Sequence, residues 1–159
     1  MSVLVYTESE GGTFKKIAFE AVSYAKEIAD MLGTSVTAVS INGNNLDQLG
    51  KYGASKVLQV SNDQLQNFNA SAYADAISQA AKIEASQVVI ISSSANSKYL
   101  APLLAVNMEA GFVPNVTELP TSTSPFNVTS TVFSNKAFAT TEITTETKLI
   151  GLAKMLLVF

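Results

Sequence analysis

Up to about residue 112 the chain switches repeatedly between two hydrophobic periods, and this alternation constrains its fold more than any other feature. Val3-Leu4-Val5-Tyr6 is a short apolar run and reads as a first strand. Phe14, Ile17, Ala18, Ala21, Val22, Ala25, Ile28, Ala29 and Leu32 then recur at spacings of three and four, the stripe of an amphipathic helix. Thr13 is placed to cap that helix and Gly33 to end it. Residues 35–41 and 56–60 read as further strands, separated by a short helix over residues 46–51. A third helix is expected from Asn69 or Ser71, with Tyr73, Ile77, Ala80, Ala81 and Ala85 or its neighbours on one face. Residues 87–91 form a fourth strand. Leu100, Leu103, Leu104 and Met108 then mark a fourth helix, closed by Gly111 and starting within the first turn before Pro102. Strands alternating with helices of these lengths predict a doubly wound, mainly parallel sheet with helices on both faces, Rossmann-like in plan.

The last third has another texture. Residues 113–150 are rich in Thr, Ser, Val and Phe and carry no helical stripe. "NVTSTVFSNKAFATTEI" reads as two strands joined near Ser134-Asn135-Lys136, with Asn135 suited to positive φ. The Ser/Thr-rich stretch 121–131 reads as a loop, and "KLIGLAKMLLVF" as one more buried strand. Added C-terminal strands on a single α/β domain, residues 1–159, are therefore expected.

Absences narrow the chemistry. The chain has no histidine and no cysteine, which excludes a Ser-His-Asp triad, thiolate catalysis, disulfides and cysteine-ligated metal. Its basic residues are all lysines, so the bidentate arginine contacts to phosphate or guanine are missing. With a net charge of −3 and no basic stripe, nucleic acid is not an expected partner. No apolar run is long enough for membrane insertion, and the chain begins with a strand rather than a basic, cleavable leader, so a cytoplasmic location is expected.

Ligands of doubly wound sheets bind beyond the carboxyl ends of the central strands. If the first and fourth strands are central, two loops face that crevice. One is Thr7-Glu8-Ser9-Glu10-Gly11-Gly12-Thr13. The other is a serine loop in which Ser93, Ser94, Asn96, Ser97 and Lys98 are candidate nucleotide or partner contacts. The second could offer hydroxyls, backbone N–H groups and an ammonium to a phosphate. The first brings two carboxylates with no arginine to offset them. Neither loop carries a Rossmann or P-loop glycine fingerprint, so a tight structural turn and a small-molecule pocket both stand as readings. Asp63, Asp75 and Glu84 are scattered and read as solvated helix-face residues rather than catalytic or metal ligands. Lys136 reads as a solvent-facing turn residue, and Tyr52 as a ring closing over the core.

Four blocks, "LVYTESEGGTFKKIAFEAVSYAKEIA", "LGKYGASKVLQV", "ANSKYLAPLLAVNMEAGFVPNVTEL" and "VFSNKAFATTEI", occur in an order and spacing that resembles the N-terminal domain of the electron-transfer flavoprotein α subunit. The resemblance covers nearly the whole chain. It implies an adenine-nucleotide-hydrolase-like α/β fold acting as scaffold and subunit interface, with no intrinsic catalysis. It further implies an electron-transfer flavoprotein β subunit as partner, whose related domain holds an AMP. FAD is expected on a C-terminal domain that would begin where this chain stops. The whole complex would carry electrons from acyl-CoA dehydrogenase-like donors, as in fatty acid β-oxidation. Leu103 departs from the pattern, since the family usually places arginine after Pro102, and a cationic contact is lost there. Two alternatives stay open: a stand-alone adenine-nucleotide-binding protein of the same fold, and a homodimer formed by strands that a partner would otherwise cover.

Overall fold

The computed structural model describes residues 1–154. Its main sheet has nine strands: β1 (Ser2–Thr7), β4 (Ser35–Ile41), β5 (Lys56–Val60), β6 (Val88–Ser92), β7 (Gly111–Val116), β8 (Ser122–Thr123), β9 (Phe126–Val132), β10 (Ala137–Glu142) and β11 (Lys148–Leu152). The order is β10-β9-β7-β11-β6-β1-β4-β5, with β8 on β9. From β7 to β5 all neighbours are parallel, and β9 and β10 continue the sheet antiparallel. Two short strands, β2 (Ser9–Glu10) and β3 (Thr13–Phe14), form a separate hairpin. The expected α/β sheet with added C-terminal strands is present.

Helices α1 (Lys16–Leu32), α2 (Asp47–Gly50), α3 (Ala70–Ile83) and α4 (Ser97–Met108) complete the fold. α1 covers one face, burying Ala18, Ala21, Val22, Ala25 and Ile28 against Val3, Val5, Val36 and Ile90. α3 and α4 cover the other, with Tyr73, Ile77, Leu100 and Leu104 against Leu4, Tyr6, Val89 and Ile91. The central strands therefore bury both faces, which is why they read as continuous apolar runs. Tyr24 of α1 donates to the carbonyl of Glu118 (2.7 Å) and so ties the helix to the segment after β7; burial raises the pKa of its hydroxyl.

Four boundary expectations need correction. Thr13 does not cap α1. It belongs to β3, and the helix starts at Lys16 after Lys15, which makes no side-chain cap bond. α4 starts at Ser97, more than a turn before Pro102, so the proline sits inside the helix. α4 ends on Glu109 in left-handed conformation (φ 51), not on Gly111, which opens β7. Residues 121–131 are not a loop throughout: they contain β8 and most of β9.

Strand β7 escapes sequence reading because Pro114 lies within it and Asn115 has φ 56. Those two residues face one residue, Gly151, of β11, so the ladder bulges there. Other expectations hold. β4 and β5 have the anticipated limits, Gly33 ends α1 in left-handed conformation (φ 68), and Asn69 caps α3 by accepting from Ala72 N–H (3.0 Å). The hairpin turn contains Asn135 at φ 66, joined in that conformation by Phe133 and Ser134. Of the last expected strand, residues 148–152 form β11; residues 155–159 lie outside the described residues.

Candidate functional site

β1 and β6 are neighbours at the centre of the sheet, and beyond them the chain winds outward in opposite directions. The crevice where this fold binds ligands therefore opens between the loop after Thr7 and the serine loop after Ser92. In this protein a carboxylate of its own stands there.

Glu8 follows β1 directly and is 3% exposed. Its Oε1 accepts a hydrogen bond from Ser94 Oγ (2.7 Å), and its Oε2 pairs with Lys15 Nζ (2.8 Å). The Lys15 backbone N–H also donates to the Glu8 carbonyl (3.2 Å), so the loop between them closes on itself. The hydrogen bond to Glu8 is the main reason the Lys15 pKa is raised. The carboxylate also acts on two tyrosines below it. Tyr6 and Tyr73 are both held protonated above their ordinary range, first by burial and then by the charge on Glu8.

The glycine pair of this loop serves packing rather than phosphate. Gly11 and Gly12 turn the β2–β3 hairpin, and Gly12 (φ 85) lies so close to the Asn44 side chain that a Cβ would collide with it. Asn44 N–H in turn donates to the Gly12 carbonyl (2.7 Å). Close backbone approach is indeed the use of glycine here, but the approaching group is a neighbouring loop.

The five candidate residues of the serine loop differ in their hydrogen bonding, although Ser93, Ser94, Ser97 and Lys98 line one cavity. Ser94 and Ser97 point inward: their hydroxyls lie 3.1 Å apart, Ser94 Oγ binds Glu8, and Ser97 Oγ donates to the Ser92 carbonyl. Ser97 N–H contacts Ser94 through both its carbonyl (3.1 Å) and its hydroxyl (3.3 Å). Ser92 Oγ reaches across to the carbonyl of Ile17 (3.2 Å). Asn96 precedes α4 in helical conformation and makes no capping bond. Ser93 N–H donates to the Leu152 carbonyl (3.0 Å). Ser93 and Lys98 line a surface cavity of about 610 Å³, to whose wall Ser94 and Ser97 also contribute, along with Pro114, Asn115 and Lys154.

Chemically, the crevice is a finished electrostatic contact. The Ser94 and Ser97 hydroxyls donate to a carboxylate and a carbonyl, and a phosphate entering there would meet the buried carboxylate of Glu8. The pyrophosphate of FAD fits these residues no better than a mononucleotide. Among the described residues, no group of acidic side chains is arranged to hold a metal ion, and no helix is long and apolar enough to cross a membrane.

Sequence reading missed the role of Glu8 and misjudged Glu84. Rather than lying on a solvated helix face, the Glu84 side chain is 10% exposed at the opposite end of the sheet. It accepts from Thr37 Oγ1 (2.7 Å) and Ser2 Oγ (3.3 Å) and pairs with Lys56 Nζ (3.1 Å). The Thr37 hydrogen bond is the leading cause of its lowered pKa. Asp75 accepts from Asn107 Nδ2 (3.2 Å), Asp63 lies in a single 3-10 turn, and Lys136 is exposed in the hairpin turn. Tyr52 is 44% exposed and stacks on Phe19 with ring centroids 4.6 Å apart.

Comparison with known proteins places this geometry. A model of the electron transfer flavoprotein domain matches residues 3–156. The chain is 31% identical over 121 residues to the electron transfer flavoprotein subunit alpha of Thermoanaerobacterium thermosaccharolyticum, covering 74% of this chain and 36% of the relative. It is 29% identical to that of Clostridium acetobutylicum at the same coverage. A third relative, 25% identical over 121 residues, is the acryloyl-CoA reductase electron transfer subunit beta of Anaerotignum propionicum, with 74% of this chain and 33% of the relative covered. The chain thus spans about a third of the length of these curated relatives. Among solved structures, a universal stress protein from Archaeoglobus fulgidus aligns with a TM-score of 0.44 at 14% identity, over 67% of this chain and 87% of that one. With residues 3–156 matched by the domain model, the chain belongs to the electron transfer flavoprotein family.

Proposed function

We propose that this chain is a scaffold and subunit-interaction domain of an electron-transfer flavoprotein α subunit, working in an FAD-dependent electron carrier without binding flavin itself. One observation carries the reading: Glu8 occupies the ligand crevice and engages Ser94 and Lys15. With that crevice filled, what the domain offers is surface. On that surface Phe133 and Phe138 of the β9–β10 hairpin are 80% and 70% exposed, large apolar side chains of the kind a protein partner covers. The partner in this reading is a β subunit, and FAD belongs to a separate domain of the assembled protein. Acyl-CoA dehydrogenase-like donors would act on the whole complex, in the cytoplasm, and this domain contributes no catalysis of its own.

Co-expression with a β subunit of the family, followed by affinity capture and an absorbance spectrum, tests this. The expected result is a complex that forms with the 159-residue chain while the isolated chain shows no flavin band. Failure to capture the β subunit at micromolar concentration, or a stoichiometric flavin band on the isolated chain, would overturn it.

A stand-alone adenine-nucleotide-binding protein is the second reading. It has one observation in its favour: Ser93, Ser94, Ser97, Lys98 and Lys154 line a single cavity of about 610 Å³. On that reading Lys98→Glu abolishes nucleotide binding, and an unchanged affinity argues against it.

A further inference from the structure

The sheet ends at β10, whose outer side pairs with no strand among the described residues. We infer that this edge pairs antiparallel with β10 of a second copy, about a two-fold axis at Ala139. The inference rests on the edge alone and is independent of the function proposed above.

The register follows from the main chain. Ile143 N–H donates to the Phe126 carbonyl (2.9 Å), while the carbonyls of Asn127 and Thr129 are turned the other way, to Thr121 N–H (3.1 Å) and Thr117 N–H (3.2 Å). Since β9 and β10 pair Val132 with Ala137 through to Asn127 with Glu142, Ala137, Ala139 and Thr141 direct their main-chain groups at β9. Those of Phe138, Thr140 and Glu142 therefore face outward. An antiparallel partner must set outward-facing residues opposite outward-facing residues, which leaves only registers two residues apart.

Side chains choose among them. Burial alternates along β10, with Phe138, Thr140 and Glu142 exposed, and Lys136 is exposed just before the strand. With Ala139 on the axis, Phe138 lies opposite Thr140 of the second copy, and the two exchange main-chain hydrogen bonds. Lys136, whose own N–H closes the hairpin turn onto the Phe133 carbonyl (3.1 Å), lies just beyond the paired segment with its exposed side chain beside Glu142 of the second copy, and the symmetry repeats both contacts. One step in one direction sets Phe138 against Glu142 and leaves Lys136 without an acid. One step in the other sets Phe138 against itself and Lys136 against Thr140. Only the central register matches both charges. β10 carries no proline, one of the devices that block an exposed edge, and Glu142 at its end and Lys136 just before it complement rather than repel a second copy. A β subunit docking on this hairpin would displace the pairing.

Sedimentation velocity of the 159-residue chain at low ionic strength, from micromolar to about millimolar, tests the inference. A monomer–dimer equilibrium with a Kd of about 10–100 μM is expected for so small an interface. Lys136→Glu and Glu142→Lys should each weaken it about tenfold by setting like charges opposite one another. The double exchange should restore it. Lys136 and Glu142 are exposed, so circular dichroism should report an unchanged fold in all three variants. A chain that stays monomeric to about 1 mM overturns the pairing; single variants without effect, or a double variant that stays weak, overturn this register.

Discussion

The two ends of the parallel sheet carry the same device. At the amino end Glu84 gathers the hydroxyls of Ser2 and Thr37 and the ammonium of Lys56. At the carboxyl end Glu8 gathers the hydroxyl of Ser94 and the ammonium of Lys15. Only the carboxyl end of such a sheet normally binds ligands. Here the arrangement that staples the opposite end stands there as well, which is what the scaffold reading proposed above requires.

Breaking each staple tests how alike they are. Glu8→Ala should have the largest effect, about 2–3 kcal/mol by chemical denaturation, because it removes a 3% exposed side chain, leaves a gap, and takes the nearest partner from both Ser94 and Lys15. Glu84→Ala should cost less, about 1–2 kcal/mol, since Lys56 is 57% exposed and returns to water. Equal losses would mean that the carboxyl end is no more buried in energetic terms than the amino end.

Acid separates the ends further. The Glu84 pKa is lowered in the folded protein, so its contribution is present above the ordinary carboxylate pKa of 4.5 and is lost as pH falls below that value through the folded pKa. Glu84→Gln should therefore narrow its stability gap to the wild type as pH drops from about 6 to about 3. A gap constant across that range would contradict the ionised network at the amino end.

The smallest effects divide the serine loop. Ser94→Ala should cost about 1 kcal/mol because Glu8 loses its hydroxyl partner, whereas Lys98→Ala, on an exposed side chain, should stay within about 0.5 kcal/mol. If Lys98 proved the costlier, the loop would be organised around its outer cavity rather than around Glu8.

How much of this was legible from residues alone follows from the range of each interaction. β4 and β5 were readable to the residue because their apolar runs are local. The start of α1 was not: a good capping residue, Thr13, yielded to the β2–β3 hairpin, which is held by Gly12 against Asn44 and by Lys15 against Glu8. Pro114 and left-handed Asn115 disguised β7, whose place depends on the bulge opposite Gly151. Strand order alone places the crevice, and the charge of its glutamates alone opposes an anion there. Which hydroxyl meets Glu8 was not legible, because Ser94 lies 86 residues further along the chain. Glu84 was misread for the same reason, its partners being 82, 47 and 28 residues away.

Titration of the ¹⁵N-labelled chain with AMP and ADP, followed through the amide resonances of Glu8, Ser94 and Ser97, tests most directly whether the crevice is closed by the protein's own carboxylate. No saturable shifts are expected at these amides up to about 1 mM nucleotide, a ceiling that corresponds to about −4 kcal/mol. Saturable shifts centred on Ser94 and Ser97 would contradict that closure, because a nucleotide would then be displacing Glu8 from the site it fills.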